Sequence, residues 1–336
     1  WRALFWINIP ITLIAIVVTA WALRGVKQER AKGRFDFAGV ALITGLLICL
    51  VLGLGANIEI ASSASSFSDI GGFPPYAGPL LLLSAAMFAG FLFVEWKFPD
   101  PLFDLRALAR RGIAMGSLVN LAVGFCLMIG LVSVPILVNI RAADIANLSA
   151  AALEVGILLS ALTIPMALAA IPGGWLANRI GYRWATCLGL GIALAGFLLI
   201  WQTWTLEIPN SIVALEMALV GVGLGLTFSP ISAAVLNAAD PDRLGTFSAL
   251  VIIMRLLGMT ISVSLMTALA SQRLATLAAA TLGDQAADPY AAIDVYSRLT
   301  GQVLGEISLA GAIICTFALL PAYLITRSKS KGSPAL

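Results

Sequence analysis

Nine long apolar runs dominate this chain, and each can cross a lipid bilayer as a helix. They fall at 4–22, 37–56, 77–95, 113–138, 153–177, 184–202, 211–237, 246–270 and 303–326. A run of about 18 or more apolar residues with few charges reads as a transmembrane segment. A segment in lipid must satisfy its own backbone hydrogen bonds, so runs this long fold as α-helices. The composition agrees. Of the 336 residues 60% are hydrophobic and 11% charged, whereas a soluble domain carries about 25% charged residues. A water-soluble fold with so much apolar surface would aggregate. The expected fold class is all-α, a polytopic membrane helical bundle.

The connecting loops alternate in basic content. Segment 23–36 holds Arg24, Lys27, Arg30, Lys32 and Arg34; segment 57–76 holds none; segment 96–112 holds Lys97, Arg106, Arg110 and Arg111. Carried to the tail, with Arg327, Lys329 and Lys331, one side collects 15 Lys and Arg residues and the other 4. The richer side is cytoplasmic by the positive-inside rule. This places the N-terminus outside and the C-terminus in the cytoplasm of an integral, multi-pass protein of the cell membrane. All eight tryptophans lie near span ends, where the indole favours the headgroup layer. Segment 99–112 alternates basic and apolar residues, as a short interfacial helix does.

Several function classes drop out. A net charge of +3 gives no case for nucleic acid. Histidine is absent, and Cys49, Cys126, Cys187 and Cys315 each sit alone in an apolar run, so neither a metal site nor a disulfide framework is expected. No cofactor is implied. There is no Gly-x-x-x-x-Gly-Lys phosphate loop, and no intramembrane cluster of the kind an enzyme requires. The expectation is a transporter, not an enzyme, whose partners are the lipid bilayer and a small-molecule substrate.

A few polar residues stand out within the spans. Arg255 lies nine residues into the eighth run, about 13 Å deep by helical rise. A charge at that depth faces a watery cavity or a partner, so Arg255 either contacts substrate or a relay carboxylate, or is structural. Glu216 is the deepest of three carboxylates near the outer side, with Glu154 and Glu306 closer to the interface. Asn120 is either a polar contact in the pathway or a helix–helix hydrogen bond. Gly221, Gly223, Gly225 and Pro230, like Pro165, either interrupt their helices, as at transporter sites, or allow close packing.

Six stretches carry a family resemblance: WRALFWINIPI at the start, GRFDFAGV with Asp36 and Gly39, PLFDLRALARRGIA, VPILVN with Pro135 and Asn139, GGWLANRIGYRW at 173–184, and DPDRLGTFSALVIIMRLLG at 240–258. In order and spacing they resemble the fourteen-span drug:proton antiporter family of the Major Facilitator Superfamily. The resemblance implies a major facilitator-type fold. Residues 1–23 would be the last span of an N-terminal bundle. Residues 24–112 would be a cytoplasmic linker, a central two-span insert and an interfacial segment. Residues 113–326 would be the C-terminal six-span bundle, and 327–336 a cytoplasmic tail. It also implies a C-terminal fragment lacking the first five spans, inactive by itself, from a proton-coupled exporter of drugs or small amphipathic molecules. Protons, and periplasmic adaptor proteins, would be further partners. A specific metabolite or siderophore exporter is the alternative.

The resemblance gives 173–184 the role of a gating loop carried by Gly174, Asn178, Arg179, Gly181 and Arg183. In that reading Gly174 and Gly181 let two helices approach across a short turn, and the arginines pair with acidic groups or helix C-termini. A short basic turn that obeys the positive-inside rule is the other reading. The family's aspartate is Asn178 here, and its usual glutamine is Asn139.

Overall fold

The computed structural model describes residues 2–22, 24, 36–63, 76–97, 109–141, 148–240, 243–282 and 289–325. The basic loop 25–35, most of the interfacial segment 99–112 and the tail lie outside the described residues. Among those described, nine α-helices and no strands occur: α1 (Arg2–Ala22), α2 (Phe37–Ser63), α3 (Ala77–Lys97), α4 (Arg111–Arg141), α5 (Leu148–Ile180), α6 (Tyr182–Thr203), α7 (Asn210–Ala238), α8 (Leu244–Leu282) and α9 (Pro289–Leu324). Seven of them, α3 to α9, are long and apolar enough to cross a membrane, while α1 and α2 carry shorter apolar stretches, Asn8–Ala22 and Phe37–Leu50. This is an integral multi-pass membrane protein.

Residues 1–35 form one compact unit and 36–336 another. The first contains α1. In the second, α2 and α3 run antiparallel, with Gly45 against Met87 and Gly53 against Leu80 and Leu81. Asp36 starts α2 by accepting a hydrogen bond from the Gly39 N–H at 2.8 Å, the capping that a helix N-terminus favours. The pair packs on α8, where Phe91, Phe247, Leu250 and Val251 share a buried cluster with Ile113 and Val235.

Helices α4 to α9 share the main core, built around Val123, Ile129, Leu162, Phe197, Leu224 and Leu304. Without a hydrophobic drive between helices in lipid, such a core depends on close packing and interhelical hydrogen bonds. The interruptions considered for the fifth and seventh spans do not appear: α5 passes through Pro165 and Pro172, and α7 through Pro230, without a break. The glycines of α7 pack instead. A side chain at Gly221 or Gly225 would collide with the carbonyls of Leu162 or Met166 on α5. Pro230 cannot donate to the Leu226 carbonyl one turn back, and Gly173 of α5 lies against that carbonyl.

The last two helices exceed their expected spans, 246–270 and 303–326. Helix α8 continues to Leu282 and α9 begins at Pro289. Each extension adds about 20 Å by helical rise. Hydropathy marks the edge of the apolar run, but the Ala- and Leu-rich stretch beyond it favours continued helix. Arg273, on the α8 extension, pairs with Glu306 of α9 at 2.8 Å, and Leu274, Ala278, Leu299 and Val303 form a small core between the two helices.

Candidate functional site

The six-helix core places the polar candidates at three separate positions. The first lies where α4 and α8 cross. The two helices run parallel here, Asn120 facing Val251 and Gly124 facing Arg255. A Cβ at Gly124 would collide with the Arg255 carbonyl, and one at Gly258 with that of Leu121. This backbone-to-backbone approach puts Asn120, fully buried, between the helices. Its amide N–H donates to the Val251 carbonyl. Its Oδ1 accepts from Nε and Nη2 of Arg255 at 3.3 and 3.2 Å. The guanidinium also lies over the Phe228 ring of α7, 3.9 Å from its centre. Arg255 is therefore held by a neutral amide and an aromatic face, and Asn120 is at once the helix–helix hydrogen bond and the arginine's partner.

Two turns further along the same face of α8, an open cavity of about 270 Å³ lies between α4, α8 and α9. Its walls are largely hydrocarbon, with Met128, Ile129, Val132, Met266 and Val303 among them. A sparse set of hydroxyls lines the rest, from Ser133, Ser262, Thr267, Ser271, Tyr296 and Thr300.

The second position is Glu216 on α7, 4% exposed. The Thr203 hydroxyl donates to its Oε1 at 2.6 Å, and the Trp204 indole N–H to its Oε2 at 2.9 Å. Trp204 is 4% exposed, so this tryptophan serves the carboxylate and not the headgroup layer expected for it. Glu154, Glu216 and Glu306 lie in three separate local arrangements. Glu154 accepts from Asn210 at 2.6 Å, and Glu306 pairs with Arg273. Arg141, which sequence reading passed over, clamps the α6–α7 turn through the Leu206 and Ile208 carbonyls and the Asn210 side chain at 2.8–2.9 Å. Asn139 is exposed in the last turn of α4 and joins neither centre.

The third position is the 173–184 loop. Gly181 has φ +88°, a conformation that glycine adopts at little cost, and the chain reverses there between α5 and α6. The close approach is made by Gly173, not by Gly174, which meets Ser229 only at ordinary contact distance. Asn178 is exposed. Arg179 stacks on Trp175 at 4.1 Å, and Arg183 lies 3.0 Å from the centre of Tyr323, one residue before the end of α9. Among the described residues, aromatic faces and not acidic groups receive both arginines. On the same side Arg110 bonds Asp240 at 2.8 Å and holds that carboxyl below the usual carboxylate range.

Comparison with known proteins finds similarity to major facilitator proteins. Residues 121–283 match the family model described as Major Facilitator Superfamily. The triacylglyceride transporter of Mycolicibacterium smegmatis is 29% identical, across 97% of this chain and 59% of its own length. The triacylglyceride transporter of Mycobacterium tuberculosis is 31% identical across 98% of this chain and 64% of its own. That of Mycolicibacterium hassiacum is also 31% identical, across 80% and 49%. The chain thus spans between about half and two thirds of the length of these relatives. A solved bacterial homologue of the human lysosomal transporter spinster, in an inward-facing and occupied conformation, has a TM-score of 0.45 at 14% identity, covering 88% of this chain and 70% of that one. These relatives are all named as transporters.

Proposed function

We propose that the chain supplies the C-terminal six-span bundle, residues 113–326, and a central two-span insert of a secondary active exporter. Its substrate is a lipid-like amphipathic molecule, and proton movement drives it. The observation that carries the reading is the hydrocarbon-walled cavity between α4, α8 and α9, two turns from a guanidinium inside the membrane. Acyl chains suit such walls, and the few hydroxyls suit an ester-sized polar group. Arg255 then marks the polar end of the pathway, since an intramembrane charge is retained at a cost of at least about 2.5 kcal/mol. The relatives' names as triacylglyceride transporters favour a neutral lipid over a cationic drug within the amphipathic class.

The test is transport by the full-length protein in proteoliposomes under an imposed proton gradient. A fluorescent triacylglyceride and a cationic dye are compared. Gradient-dependent movement of the lipid, with the dye left behind, supports the proposal. Movement of the dye alone would restore drug efflux, and movement of neither would remove both.

A further inference from the structure

We propose that Glu216 is a proton-binding site reached from the polar vestibule beside Trp204. The site rests on the transporter reading above and specifies where a driving proton is held.

Two features of the geometry carry the inference. The first is that both oxygens of the carboxyl are engaged by neutral donors, the Thr203 hydroxyl and the Trp204 indole N–H. Neither partner is a cation, so no ion pair locks this buried carboxyl in its charged form. The second is the placement of Thr203. Its Oγ lies 2.6 Å from Glu216 Oε1 and 2.9 Å from the Leu199 carbonyl. One hydroxyl hydrogen serves only one of them at a time.

When Glu216 is ionised, the Thr203 O–H points to Oε1. When a hydronium in the vestibule gives its proton to Oε1, the new acid O–H donates to Thr203 Oγ. The Thr203 O–H then turns to the Leu199 carbonyl. Trp204 holds Oε2 throughout. Neither state leaves a buried polar atom unsatisfied, so proton uptake escapes the penalty of about 1–3 kcal/mol that an orphaned group would impose.

The route is short. Trp204 also lines a cavity of about 620 Å³ with Glu207, Arg298, Gln302 and Glu306. The charged groups on the surrounding elements hold other partners or face this vestibule: Glu154 on α5 takes Asn210, Arg141 on α4 holds the α6–α7 turn, and Arg273 on α8 holds Glu306 on α9. Glu207 in the turn and Arg298 on α9 face the vestibule. Among the described residues, the hydrogen bonds at Glu216 come from Thr203 and Trp204 alone.

Infrared difference spectroscopy of the full-length protein in lipid, acid minus neutral, reads the proton directly as a carboxylic C=O band. Wild type is expected to show such a band, lost in Glu216→Gln and kept in Glu306→Gln. Thr203→Val removes the acceptor of the acid proton and moves the band to higher wavenumber. If folded Glu216→Gln retains every carboxyl band of wild type, the proposal is overturned. Should that variant fail to fold, an unmoved band in Thr203→Val overturns it equally. Lipid transport is measured in parallel. Transport indifferent to the proton gradient, with the Glu216 band intact, would contradict proton coupling and leave the proton site standing.

Discussion

Arg255 is made tolerable by two neighbours that carry no charge, Asn120 and Phe228. Truncating Asn120 to Ala leaves the guanidinium and the Val251 carbonyl short of a partner, a loss of about 1–3 kcal/mol. Adding Arg255→Ala to that variant removes the orphaned charge, so the double change is expected to cost less than the sum of the single changes. Thermal unfolding in detergent checks this, and strict additivity would show that the two do not interact. For function, both Arg255→Lys and Arg255→Ala should lower lipid export while the protein reaches the membrane at normal levels. The lysine keeps the charge but loses the planar fork that reaches Asn120. Unchanged export by Arg255→Ala would make the arginine structural. The need of Arg255 for a partner was legible in the chain, because a charge inside a long apolar run calls for one. The partner was not, since it lies 135 positions away on another helix. Trp204 was misread for the same reason. Its position near a span end suits the headgroup layer, and only packing shows it turned inward to Glu216.

Helices were the most readable features of the chain, because an apolar run in lipid has no other way to satisfy its backbone. What the runs could not show was how a glycine or proline would be used. In α7 they serve contact, and two substitutions separate contact from mere flexibility. Gly225→Ala places a methyl group against the Met166 carbonyl and should destabilise the protein by about 1–3 kcal/mol through overpacking. Gly191→Ala, on α6 with open space around it, should stabilise by about 0.5–1 kcal/mol through helix propensity. Equal shifts in the unfolding temperatures of the two would contradict the packing account. The lengths of α8 and α9 escaped the reading because hydropathy reports solvent and not helix. Their paired extensions beyond the apolar runs rest on Ala and Leu and on the Arg273–Glu306 pair.

At the scale of the whole molecule, orientation follows from charge and not from packing. From the 15-to-4 bias in Lys and Arg we propose that segment 24–36 is cytoplasmic and 57–76 outside. In full-length protein freed of its native cysteines, a cysteine at Ser65 should react with an impermeant reagent from outside and one at Arg30 should not. The reverse pattern would invert the topology. The likeness to the major facilitators was also legible, through motifs spread along the chain. The cavity was not, because its walls come from three helices whose facing sides no single run reveals. The central claim is that this cavity receives a lipid-like molecule, and photolabelling by a diazirine-bearing triacylglyceride tests it most directly. The expected labels fall on Ile129, Met266 and Val303, which line the cavity, and fade with excess unlabelled lipid. Labels confined to Leu168, Ile171 and Leu215, all strongly exposed, and indifferent to competitor would mean that the lipid only surrounds the protein, contradicting the account.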